Sequence, residues 1–180
     1  VKSVVEERAQ ASSGKHQLYL MLAQAENFHA MNTAVIEKIV RMGCTPLIIS
    51  VNQPYKVLCR TYRNAGLDPE SFYVIDAVTQ YSGGSPEPHP RVKFVTNSAN
   101  LTDLGIAITG FLKQIPDERT CILFDSVSML LIYISTVTAS KFLHFVVNKL
   151  KLKGVTGIFL CVEKGLILSL SPRCHPSWIT

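Results

Sequence analysis

Short runs of aliphatic and β-branched residues recur along this chain without the apolar–polar alternation of a half-exposed strand. They are Leu18–Ala23 (LYLMLA), Pro46–Val51 (PLIISV), Phe72–Asp76 (FYVID), Thr120–Phe124 (TCILF) and Gly157–Val162 (GIFLCV). A strand apolar on both faces has to be covered on both faces. Helical patterns lie between the runs. Asn32–Met42 places Val35, Ile36, Ile39 and Val40 on one face, with Asn32 the expected N-cap and Gly43 the stop. Pro54–Ala65 comes next, with Pro54 in a permitted first-turn position and Gly66 after the last turn. A third helix, to about Gln114, opens on Asn100 with Asp103 in its first turn. Ala139–Lys151 carries Phe142, Leu143, Val146, Val147 and Leu150 as its apolar positions. Alternating β and α segments with doubly apolar strands predict an α/β fold: one domain over residues 1–180, three layers α/β/α, with a mainly parallel central sheet.

The remaining segments are simpler. Residues 1–15 predict a short helix and a turn, Val92–Val95 a short strand, Leu166–Leu170 a last edge strand, and 171–180 a tail. Residues 80–91 form a loop, because two Gly and three Pro fall within 80–90. With 47% hydrophobic and 17% charged residues, whole-chain disorder is excluded. The most apolar stretch, Cys121–Val137, is interrupted by Asp125, Ser126 and Ser128 and falls short of the roughly 18–20 apolar residues of a membrane span. The first fifteen residues lack an apolar signal-like core, and the opening Val reads as a trimmed start. Five cysteines, none in C-x-x-C spacing, point to a reducing compartment and hence the cytoplasm. Cys174-His175 lacks a second pair at zinc spacing, so no metal is expected. The net charge of +5 permits a polyanion partner without requiring one.

In parallel sheets, ligands bind beyond the carboxyl ends of the strands, so the residues there carry most of the functional information. Cys121-Ile-Leu-Phe-Asp125-Ser126 resembles the Walker B strand, hhhhD-S, of the RecA/KaiC-like P-loop ATPases. Phe72–Asp76 resembles the strand ending in Asp before that family's variable loop. Asn100–Ile108 resembles the helix before Walker B in the archaeal KaiC-like branch, and Thr156–Glu163 the strand after the Walker B helix. No one motif is specific; the order and spacing of all of them, from Leu18 to Glu163, carry the resemblance.

That resemblance implies a phosphate-binding G-x-x-x-x-G-K-[ST] loop after the first strand, where glycines let backbone N–H groups wrap phosphates. The stretch in that place, Ala23–Met31 (AQAENFHAM), holds no Gly, Lys, Ser or Thr. Glu26 adds negative charge, Phe28 adds bulk, and His29, nearest the missing Lys, is no constant cation. Gly14-Lys15 precedes the first strand and reads as an ordinary turn. The family commonly ends its second strand with a Glu pair, one able to act as general base. Here Asn52 and Gln53 stand there, and an amide cannot take a proton from water. Asp125 is kept, either as a Walker B remnant or as a cap for a neighbouring backbone.

The resemblance therefore implies a degenerate, non-catalytic domain, a regulatory or scaffold subunit working through a protein partner or a homo-oligomer. No cofactor is expected and Mg-ATP is disfavoured. The alternative is a divergent nucleotide- or anion-binding site lined by His29, Asn52, Gln53, Asp125 and Ser126. A further alternative is an accessory DNA-binding role in recombination or repair. Lys56, Arg60 and Arg63, at i, i+4 and i+7 among Tyr55 and Tyr62, could contact nucleic-acid phosphates; a solvated helix face is the ordinary reading. The family's sheet usually continues past the fifth strand, so a shortened sheet with an open edge is expected.

Overall fold

A computed structural model describes residues 17–163. Its six strands are β1 (Leu18–Ala23), β2 (Thr45–Ser50), β3 (Tyr73–Asp76), β4 (Val92–Phe94), β5 (Thr120–Asp125) and β6 (Thr156–Val162). The five α-helices are α1 (Phe28–Arg41), α2 (Tyr55–Asn64), α3 (Leu101–Gln114), α4 (Val127–Tyr133) and α5 (Thr136–Lys153). All strand pairs are parallel, in the order β1-β6-β5-β2-β3-β4. The expected three-layer α/β/α arrangement with a parallel central sheet is what forms.

Strand alternation divides the core into two apolar layers. Ile48, Val74, Cys121, Leu123 and Leu160 face α1 and α2, joining Ile36, Ile39, Leu58 and Tyr62. Leu47, Ile49, Ile75, Ile122, Phe124 and Phe159 face the other way, onto Leu104, Ile108, Phe111, Phe142, Val146 and Leu150. The three consecutive residues Leu47, Ile48 and Ile49 are all fully buried, which is why no alternation is visible in β2. Each such side chain contributes about 1.5–3 kcal/mol. Gly157 in β6 gives room to α5, since a Cβ there would collide with Leu150 and Leu18.

Several boundaries differ from those expected. Helix α1 starts at Phe28 rather than after Asn32, because Phe28 is itself a core residue. Asn32 is therefore interior and buried, its Oδ1 accepting from the Tyr62 hydroxyl at 2.7 Å. Pro54 is the N-cap of α2 rather than its first-turn residue. Helix α5 begins three residues early, capped by Ser135, whose Oγ accepts from Thr138 N. Helix α4 was not expected at all; Ser126 caps it, and Ser128 ties it to β6 by accepting from Val162 N at 2.8 Å. His144 is exposed on α5, beside Asn148. Asn100 caps α3 as expected, with Asp103 returning the contact. The expected helix in 1–12, the Gly14-Lys15 turn, the strand at 166–170, the tail and Cys174-His175 lie outside the described residues. Among the described residues no helix is long and apolar enough to cross a membrane.

Candidate functional site

Three polar side chains form a row across the carboxyl ends of neighbouring strands. Ser50 of β2 is in register with Asp76 of β3 on one side and Asp125 of β5 on the other. All three share the parity of Ile48, Val74 and Leu123, so they lie on the α1/α2 side of the sheet, and all are buried.

Asp76 is fully engaged. Its Oδ1 accepts from Val78 N and Thr79 N, both at 2.8 Å, and its Oδ2 accepts from Tyr55 N at 2.7 Å and from the Thr79 hydroxyl. It thus satisfies an orphan N–H in the first turn of α2 and fixes the start of the loop after β3. Ser50 is likewise local: its Oγ donates to Gln53 O at 2.7 Å and accepts from Gln53 N at 3.2 Å.

Asp125 is different. It is only 2% exposed, and among the described residues its Oδ1 has no hydrogen-bond partner. Burial pushes its carboxyl up to about 7, while a hydrogen bond from the Asn52 side chain pulls the other way. Its charge also bears on Tyr62, whose phenol is raised first by burial and then by Asp125. The helix cap that Asp125 could have supplied comes instead from its neighbour, Ser126. The peptide bond between the two is cis.

The residues expected at a strand-end site are brought together in two contacts. Gln53 Nε2 meets His29 Nδ1 at 3.0 Å, and Asn52 meets Asp125. The first bridges the start of α1 and the β2–α2 connection; the second bridges that connection and β5. Ser126, as a helix cap with a buried side chain, stands apart from both. Asn32 and Tyr62, absent from the expected set, line the same region, and Asn32 Nδ2 is also buried without a partner among the described residues.

The β1–α1 connection is short. Ala25–Asn27 form a single 3-10 turn, in which Asn27 N donates to Gln24 O and Phe28 N donates to Ala25 O. Phe28 then anchors the helix in the core, 5% exposed. These amides are satisfied within the turn.

The basic residues of α2 are placed differently from a stacking surface. Lys56 pairs with Glu87 at 2.6 Å and Arg63 with Glu70 at 2.6 Å, while Arg60 is exposed. Tyr62 is buried, and Tyr55 packs on His89 and Phe94. Neither ring is free to stack on a base. A groove at the far edge of the sheet, between Lys93, Phe94, Asp103 and Ile106, is remote in the strand order from β5 and β1.

Comparison with solved structures places the fold among known ones. An uncharacterized protein, PH0321 from Pyrococcus horikoshii, in complex with an unknown peptide, superposes with a TM-score of 0.65 at 12% identity, over 92% of this chain and 77% of that one. The KaiC-like protein PH0186 from Pyrococcus horikoshii OT3 superposes with a TM-score of 0.58 at 14% identity, over 83% of this chain and 62% of that one. No curated protein matches the sequence. Residues 44–164 match a family described as a family of unknown function (DUF7504), and the chain belongs to that family. The matched region starts after β1, the 3-10 turn and α1.

Proposed function

We propose that this chain is a non-catalytic RecA/KaiC-like domain, a regulatory or scaffold subunit that acts through contacts with a protein partner or with further copies of itself. The observation that carries the reading is the 3-10 turn after β1. The amides of Asn27 and Phe28 are bonded to Gln24 O and Ala25 O, and Phe28 occupies the core. A triphosphate needs several unpaired N–H groups and a cation at that place. Here the neighbouring side chains are Glu26 and His29. Asn52 and Gln53 stand where a general base is expected, and an amide cannot take a proton from water. Exposed apolar side chains on α4 and α5, among them Ile132, Val137, Phe145 and Leu152, supply surface suited to protein contact. One structural neighbour was itself solved in complex with an unknown peptide. The four described cysteines are all free, in keeping with a reducing, cytoplasmic setting.

Thermal unfolding with millimolar Mg-ATP tests this. Binding at 100 times the dissociation constant would stabilise by about 2.7 kcal/mol, or roughly 5–10 °C for a domain of this size. The expected result is no shift; a shift of that size overturns the reading.

A second reading is favoured by Asp125 alone. A buried carboxyl with an open oxygen, beside Asn52 and Tyr62, is what a divergent small-ligand site at the strand ends would keep. A melting shift with Mg-ATP that Asp125→Asn abolishes would establish this reading in place of the first.

A further inference from the structure

Helix α5 is one-sided in charge as well as in apolarity. Its 18 residues hold four lysines and no carboxylate. Phe142, Val146 and Leu150 enter the core. On the uncovered side, residues four apart make a row of Val137, Lys141, Phe145 and Lys149, alternately apolar and cationic. Val137 is 63% exposed, and Leu152, beside the end of the row, is 90% exposed. Lys153 is paired with Asp117, but among the described residues no carboxylate pairs with Lys141, Lys149 or Lys151.

Helix α3 lies alongside and continues the same character. Phe145 crosses to it, close enough that a Cβ on Gly105 would stand 3.4 Å from the ring's Cε1. Lys149 Nζ lies 5.4 Å from the Phe145 ring centroid. The ring is thus held in a crease between two helices, with a cation over it. Thr102, Ile106 and Lys113, exposed on the outer side of α3, add one large apolar chain and one cation. The carboxylate of α3, Asp103, is engaged by the Asn100 side chain at 2.6 Å. From Val137 to Leu152 the row runs about 22 Å, or roughly four turns of helix.

We propose that this α3–α5 face docks an acidic amphipathic helix of a separate protein, about four turns long. The proposal rests on the reading of the chain as a subunit that acts through protein contacts, and it names the chemistry of the partner. Apolar side chains about two turns apart on the incoming helix pack on Val137, Phe145 and Leu152. Carboxylates between them meet Lys141, Lys149 and Lys151. Charge selects this occupant over a second copy, because the face set against itself would oppose lysine to lysine. Spacing selects it over a lipid surface. The apolar groups alternate with lysines along the row, and Phe145 lies down in the crease rather than projecting past them. A helix that lies in a lipid interface instead keeps its apolar and basic residues on separate faces.

Selection from a displayed library of random peptides about 16 residues long, on the whole 180-residue chain, tests it. The expected result is enrichment of sequences with Leu, Ile or Phe two turns apart and Asp or Glu between them. Their affinity should fall at least ~10-fold in the Lys141→Glu, Lys149→Glu double variant, with circular dichroism and melting temperature kept. Exchanging Glu for Lys in the peptide should restore binding to that variant, which damage to the fold would not allow. Val137→Glu, at an exposed helix position, should give the same loss and serves if the double variant unfolds. Enriched peptides without acidic residues, equal binding by the variants, or no enrichment at all each overturn the proposal. Binding to vesicles containing phosphatidylserine that the double variant abolishes also overturns it, and assigns the face to lipid. A dimer that the double variant disrupts overturns it in favour of a second copy. A melting shift with Mg-ATP would remove the reading beneath the proposal without producing any of these outcomes.

Discussion

Asp76 and Asp125 flank Ser50 at one level of the sheet, yet Asp76 accepts four hydrogen bonds while Asp125 leaves an oxygen without any among the described residues. Both end apolar strands and both are buried. Their difference arises from the segment after each strand. Beyond β3 the chain turns back so that Val78 and Thr79 present their amides to Asp76. Beyond β5, Ser126 takes the capping role and leaves Asp125 facing the α1/α2 layer. Substitution therefore affects the two carboxyls differently.

Replacing Asp125 by Asn should flatten the dependence of stability on pH. The folded-state value of about 7 lies above the ordinary 3.8, so between them the native state holds the proton more tightly than the unfolded chain. The stabilising contribution is complete below the lower value, falls as pH rises toward 7, and is gone above it. The amide in the variant stays neutral throughout. Urea unfolding at pH 5 and pH 8 should show the native chain losing stability between them, and the variant gaining on it by about 1–4 kcal/mol at pH 8. Equal pH dependence in both proteins would contradict the burial of that carboxyl.

Asp76→Ala should be the more costly change at neutral pH. It strips acceptors from Tyr55 N, Val78 N and Thr79 N together. With roughly 1 kcal/mol net for each bond and more for a charged acceptor, about 2–4 kcal/mol is expected. Denaturant midpoints of Asp76→Ala and Asp125→Ala, measured side by side at pH 7, check the order.

Tyr62→Phe isolates one buried contact. The hydroxyl that donates to Asn32 Oδ1 is lost, leaving an amide inside α1 with neither polar atom paired. A loss of about 1–2 kcal/mol is expected, and Asn32→Leu in the same chain should recover part of it. A double-mutant cycle should give a coupling of at least ~0.5 kcal/mol.

Single-stranded DNA should not bind measurably near 150 mM salt. Two of the three cations on α2 are paired with Glu87 and Glu70, and Tyr62 is inside the core. Fluorescence anisotropy across a salt series checks this. Saturable binding whose logarithm falls with log salt at a slope near −2 would restore the nucleic-acid reading of Lys56, Arg60 and Arg63.

The strands were legible in the sequence because burial on both faces leaves unbroken apolar runs, as in Leu47, Ile48 and Ile49. Helix α4 was not, because Val127–Tyr133 continues the apolar run of β5 and offers no contrast between faces. Its signal was the pair of caps, Ser126 and Ser135, that bracket it. Asn32 misled for a related reason: a residue well suited to a helix start is equally suited to accept a bond from a buried tyrosine. At the site, the contact of His29 with Gln53 joins residues 24 apart, and that of Asn52 with Asp125 spans β2 to β5. Such meetings depend on strand order, which no local pattern records.

The loop of residues 77–91 invites cutting by composition, with its glycines and prolines, but it is fastened along its length. Asp76 holds Val78 and Thr79 at one end, Glu87 reaches Lys56, and His89 meets Glu70. Because Asp76 also holds Tyr55, the strap and the first turn of α2 share one buckle. A protease that nicks the middle of the loop should therefore leave two fragments that travel together under native conditions. They should part only when the sheet itself unfolds, because β1 pairs with β6 and β2 with β5 across the cut.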